Sequence, residues 1–159
     1  MKRRLLFTAA VAAATVLLAA SAVNAQAPQI ASLPDGMFAI HYNRPAGDYK
    51  DWGLHVWESF DKIVDGKPAG DKTRSDRPLA GVGWGTPMPP TGEDGFGVYW
   101  HIKADEFRNG KVNYIIHRYE NKNCAGDMYF MLTETKEVFV NRNDCKYFTT
   151  AEAAIKARQ

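Results

Sequence analysis

The sequence predicts an all-β domain, a sandwich or a barrel, closed by one short C-terminal helix. Three observations lead there. Aromatic and branched residues come in short runs of about five to eight. Turn-forming clusters of Gly, Pro, Asn and Asp separate those runs, and no alternation of strands with long helical periods points to an α/β unit.

Taken in order, residues 26–36 are a polar, proline-containing lead expected to be flexible, and Met37 to Tyr42 reads as the first strand. A turn through Arg44-Pro45-Ala46-Gly47-Asp48-Tyr49 leads to a second strand from Trp52 to Trp57. Ser59 to Arg77 is rich in Lys, Asp, Gly and Pro, so a long surface loop or irregular excursion is expected. Val82-Gly83-Trp84 has the makings of a brief pairing before the prolines at 87, 89 and 90, which withhold backbone donors and forbid a central strand.

Gly95 to Ile102 and Lys111 to His117 read as longer strands, the latter with Val112, Tyr114 and Ile116 on one face. Gly126 to Leu132, Thr135 to Val140 and Lys146 to Phe148 complete the set, with Asn141 to Asp144 as a polar turn. Thr149 or Thr150 together with Glu152 can cap a helix over residues 151–157. The body of the domain is thus placed at residues 37–150, with residues 151–159 as a tail or short helix.

Residues 1–25 read as a secretion signal. Lys2, Arg3 and Arg4 precede an apolar run from Leu5 to Ala20, and Val23-Asn24-Ala25 offers a small-x-small cleavage site. The competing reading is an uncleaved anchor, because the run is only just short of a bilayer span. Cleavage removes 25 of the 159 residues and leaves 134, the size of one domain, in the periplasm or outside the cell. It also takes the formal charge from +2 to about −1, so no nucleic-acid partner is expected, and no stable membrane insertion after cleavage. Cys124 and Cys145 are the two cysteines, and in an oxidising compartment a bridge between them is favoured over a metal site.

No common catalytic signature is present: there is no nucleophile elbow, HExxH, phosphate loop or CxxC. No catalytic residue, metal or cofactor is expected. His41, His55, His101 and His117 all fall in predicted strands, where packing and hydrogen bonding are commoner fates than ligation. Glu93, Asp94, Asp105 and Glu106 lie beside glycines and at strand ends, as ordinary turn residues do. The aromatic content is more informative, with four Trp, seven Tyr and eight Phe. In the second strand the two-residue period puts Trp52, Leu54 and Val56 on one face and His55 and Trp57 on the other. One face would build the core. The other is either a platform on which a pyranose ring can lie, with charged neighbours taking its hydroxyls, or a second buried face.

Ile40-His41-Tyr42-Asn43-Arg44-Pro45-Ala46-Gly47-Asp48-Tyr49 followed by Trp52-Gly53-Leu54-His55-Val56-Trp57 resembles the opening of the pullulanase-associated domain, a starch-type carbohydrate-binding module. The similarity continues through residues 89–97, Val112 to His117 and Glu137 to Val140, so ordered matches cover residues 37–148. The resemblance implies an immunoglobulin-like antiparallel β-sandwich that binds α-glucans such as amylose, pullulan or glycogen-type oligosaccharides without catalysis. It also implies that Trp52, His55 and Trp57 form the sugar platform, and that Arg118, Lys122 and Asp127 supply hydrogen bonds from the following loop. That loop departs from the family pattern: Arg118 stands where lysine is usual, and Cys124 enters. The chain is too short to hold the glycosidase barrel to which such modules are usually attached. Two functions follow: an exported α-glucan-binding domain, or an exported structural or protein-interaction domain that has lost the sugar.

Overall fold

The computed structural model describes residues 27–59, 61–64, 67–72 and 76–158, with backbone alone for 61–64 and 67–72. The expected signal at residues 1–25 lies outside the described residues.

The strands are β1 (Met37–Asn43), β2 (Gly53–Glu58), β3 (Asp61–Val64), β4 (Lys67–Lys72), β5 (Arg77–Pro78), β6 (Gly92–Glu93), β7 (Val98–Lys103), β8 (Lys111–Arg118), β9 (Asn121–Lys122), β10 (Met128–Met131) and β11 (Glu137–Asn141), followed by helix α1 (Ala151–Lys156). One sheet has the order β11-β1-β7-β6 and the other β10-β8-β2-β5, with β9 added to β8. The all-β sandwich with a short terminal helix expected from the sequence is therefore the fold observed. Pairing is antiparallel except between β1 and β11, which run parallel in the register Ala39 to Glu137 through Asn43 to Asn141.

Alternation sorts the side chains. From the first sheet Phe38, Ile40, Tyr42, Val98, Trp100, Ile102, Val138 and Val140 point inward. Leu54, Val56, Val112, Tyr114, Ile116 and Phe130 meet them from the second. Each residue of this size contributes about 1.5 to 3 kcal/mol on burial, so the inner faces dominate stability. Trp100 is fully buried, and its indole N–H is satisfied by the Met88 carbonyl at 2.9 Å. A second, smaller cluster joins Phe96, Phe139, Ala151 and Ala154, which fixes α1 against β11. Thr150 caps that helix as expected, its side-chain oxygen accepting from the Ala153 N–H.

Three expectations give way. Ser59 to Arg77 is not a plain loop, because β3 and β4 within it pair as a separate two-stranded ladder. Its composition carries no apolar alternation to announce it. Lys146 to Phe148 forms only one bridge, Phe148 to Phe139, in place of a strand. The described part of the lead is docked: Gly95 N–H donates to the Gln29 carbonyl at 2.8 Å, Ala31 N–H donates to Asp94 at 3.1 Å, and Ile30 packs on the smaller cluster. No helix among the described residues is long and apolar enough to cross a membrane.

Candidate functional site

The outer face of the second sheet carries the aromatic cluster. β2 and β8 pair antiparallel with Gly53 opposite His117, His55 opposite Ile115 and Trp57 opposite Asn113. Side chains at these positions share the face turned away from the core. His55 and Trp57 meet with ring centroids 5.1 Å apart, and His55 lies 6.4 Å from His117.

A loop completes this surface. The chain pairs with β2 at Arg77–Pro78 and returns to it at Met88, whose N–H and carbonyl both bond to Leu54, at 2.8 and 2.9 Å. Between those points Gly83 and Thr86 exchange two backbone hydrogen bonds, which puts Trp84 at the tip of a tight turn. Gly53 permits the return: a β-carbon there would stand 2.8 Å from Pro87 Cβ and 3.1 Å from the Met88 carbonyl.

Trp84 lies flat on His117, with centroids 4.0 Å apart and planes 4° from parallel. Such a stack contributes about 0.5 to 1.5 kcal/mol beyond area. His55 meets the indole edge-on at 6.1 Å. Lys122 holds its ammonium 5.3 Å from the Trp84 ring centroid. Lys122 is the direct cross-strand partner of His117. Glu120 accepts the Trp84 indole N–H at 2.9 Å. The half-buried indole is thereby fixed in plane and tilt.

The histidines are polarised by their partners. His117 Nδ1 lies 2.9 Å from the Tyr119 carbonyl, which can only accept, so Nδ1 donates and Nε2 is the other ring nitrogen. That Nε2 and His55 Nδ1 are buried without a hydrogen-bond partner. Desolvation pushes the His55 pKa down; His117 and Lys122 add to this, while a hydrogen bond to the Gly83 backbone and the Asp127 charge oppose it. Burial therefore favours the uncharged form of His55.

The sequence-predicted residues separate into two groups. His55, Trp57, Lys122 and Asp127 come to the outer face or its rim, Asp127 sharing with Trp57 a depression of about 190 Å³. Trp57 is more covered than an open platform requires, with 9 % relative exposure. Trp52 does not belong to that surface: it is 6 % exposed within the core cluster, 5.6 Å from the Tyr42 ring, and the Arg44 guanidinium lies 4.2 Å from its centroid. Strand alternation had placed Trp52 with Leu54 and Val56, and that reading prevails over the platform role implied by resemblance. Arg118 follows His117 in β8 and points to the opposite side, its guanidinium 5.6 Å from the Trp52 ring.

Sequence reasoning missed Trp84 and His117 as members of the cluster. An indole between two glycines, Gly83 and Gly85, in a segment with no strand period to bury it, was the available signal.

The Cys124–Cys145 bridge expected from the sequence is present. Beside it the buried Asn123 accepts from Tyr42 Oη at 2.9 Å and from Asn143 N–H at 2.7 Å, and donates to the carbonyls of Asn141 and Asp144. Together they tie the segment after Lys122 to the end of β11. Elsewhere Asp94 accepts from the N–H groups of Phe96 and Gly97 and lies 3.1 Å from His41 Nδ1, which is the turn-building role expected of it. Among the described residues no group of three or more His, Cys, Asp or Glu side chains is arranged to hold a metal.

The fold is thus a two-sheet β-sandwich with an aromatic and imidazole cluster on one outer face. The family model described as the Bacterial pullanase-associated domain matches residues 36–149, and the chain belongs to that family. Similar solved folds include a structure reported for α-glucan recognition by family 41 carbohydrate-binding modules from streptococcal virulence factors. It has a TM-score of 0.56 and 15% identity, over 77% of this chain and 51% of that one. The Klebsiella pneumoniae pullulanase complexed with maltotriose aligns with a TM-score of 0.61 and 22% identity, over 83% of this chain and 12% of that one. A Streptomyces lividans α-amylase is 24% identical over 88 residues, 55% of this chain and 8% of the amylase. The chain thus spans a small part of the enzymes it matches.

Proposed function

We propose that this is an exported, non-catalytic domain that binds α-glucan chains on the outer face of its second sheet. The observation that carries the reading is the Trp84–His117 stack beside His55 and Trp57, rimmed by Lys122 and Asp127. A flat indole matches the C–H face of a pyranose, and an ammonium and a carboxylate at the rim match its hydroxyls. The α-glucan recognition reported for a structurally similar module supports the choice of sugar. The disulfide supports an oxidising, periplasmic or extracellular, location.

Affinity should be micromolar to millimolar, because a short oligosaccharide buries little area and its hydroxyls are well hydrated. Affinity electrophoresis in glycogen, amylopectin and pullulan gels tests this, with Trp84→Ala and Trp57→Ala run alongside wild type. Retardation of wild type that is lost in Trp84→Ala supports the reading; wild type migrating freely in all three gels rejects it. The burial of Trp57 favours a second reading, a protein-interaction or structural domain that has kept the sandwich and lost the sugar. Free migration in every gel is the result that reading expects.

A further inference from the structure

The pairing registers place three residues on one rung across the second sheet. Trp57 in β2 is opposite Asn113 in β8, and Asn113 is opposite Tyr129 in β10. Residues on one rung share a face, so Tyr129 stands on the same outer surface as His55 and Trp57, two strand spacings or about 10 Å away. That is further than one pyranose ring reaches. β10 is also the edge of its sheet, so the surface turns over the molecule's side there.

Tyr129 is 39% exposed, one of two large apolar or aromatic residues so exposed among the described residues. Its ring separates two depressions. The one of about 190 Å³ on the Trp57 side includes Lys111 and Asn113, and the Lys111 ammonium sits 4.8 Å from the Tyr129 centroid. The one of about 450 Å³ beyond it is lined by Asp127, Tyr129, Glu134, Lys146 and Tyr147 among others. That volume falls in the range of about 300 to 1,000 Å³ usual for small-molecule sites. Asp127 lines both depressions, so they adjoin each other and the rim already described. Two tyrosine rings with two carboxylates and an ammonium again combine an apolar surface for a sugar face with donors and acceptors for hydroxyls.

We propose that Tyr129 carries a second contact position for the same glucan chain, so that the domain selects chains long enough to run from the His55–Trp57 pair over the β10 edge. This inference rests on the glucan reading above and adds chain length as its specificity. The Trp84 stack holds one end of the ligand, and Tyr129 with Tyr147 and Asp127 holds the other.

Isothermal titration calorimetry with linear α-1,4-linked oligosaccharides of three and seven glucose units tests it, using wild type, Tyr129→Ala and Tyr129→Phe. Wild type should bind the heptasaccharide about fivefold or more tightly than the trisaccharide, as one further aromatic contact provides. Tyr129→Ala should leave trisaccharide affinity unchanged within about twofold and bring the heptasaccharide down to it, while Tyr129→Phe keeps the gain. Tyr129→Ala retaining the wild-type dependence on length overturns the proposal, as does wild type that binds both ligands equally. Wild type that binds neither ligand overturns the glucan reading itself and this inference with it. Tyr129 is at the surface, and an unchanged unfolding midpoint confirms that the variant is folded.

Discussion

Reducing the Cys124–Cys145 bridge should destabilise the domain by about 3 kcal/mol. The two cysteines are 21 residues apart, and the chain-entropy relation for a closed loop of that length gives about 3.4 kcal/mol at room temperature. The Asn123 hydrogen bonds sit beside the bridge and survive its reduction, so the native segment has little reason to move and the loss should fall mainly on the unfolded chain. With a urea slope of about 2 kcal/mol per molar, the midpoint of unfolding should drop by about 1.5 M. Urea titration of the oxidised protein, the reduced protein and the Cys124→Ser/Cys145→Ser variant measures it. Equal midpoints in oxidised and reduced protein would refute the reasoning, since neither loop entropy nor the tie to β11 would then be at work.

Tyr119→Gly should raise stability by about 0.5 to 1 kcal/mol by chemical denaturation. Tyr119 sits at φ +53°, where a side chain costs about 1 to 2 kcal/mol, and the freer unfolded glycine chain takes back part of that gain. Gly53→Ala should cost about 1 to 3 kcal/mol, because the new methyl meets a proline ring and a backbone carbonyl that cannot swing aside; it should weaken glucan binding as the Trp84 turn is displaced. Stability should fall as pH drops from 7.5 to 5. Burial holds the His55 and His101 pKa values below 6.5, so the unfolded chain takes up protons that the folded one resists, and the stabilisation is full above 6.5 and lost below it. His101→Gln should flatten that pH profile in urea titrations, and an unchanged slope would contradict the assignment.

The parts of this fold written in local periodicity could be read before any coordinates. Leu54 and Val56 pointing inward while His55 points outward, and Val112, Tyr114 and Ile116 pointing inward, follow from a period of two. The helix after Thr150 follows from its cap. What escaped depends on pairing between distant segments. The parallel contact of β1 with β11 joins residues nearly a hundred positions apart, and no residue in either strand signals it. The β3–β4 hairpin is made by backbone bonds in a segment without apolar alternation.

The candidate site divides in the same way. His55 and Trp57 were visible because one strand carries both. Trp84 was not, because its place depends on Met88 rejoining β2 and on Gly53 leaving room for Pro87. Trp52 shows the converse: the strand's own alternation was a better guide than the role carried over from the resemblance.

The four tryptophans offer the most direct test of where a glucan binds, because two are interior and two belong to the outer face. In a proton–nitrogen NMR titration with a linear α-1,4-linked heptasaccharide, the indole signals of Trp84 and Trp57 should move together and saturate. Those of Trp52 and Trp100 should stay in place. Four stationary indole signals at millimolar ligand, or movement confined to Trp52 and Trp100, would contradict the assignment of this face as the binding surface.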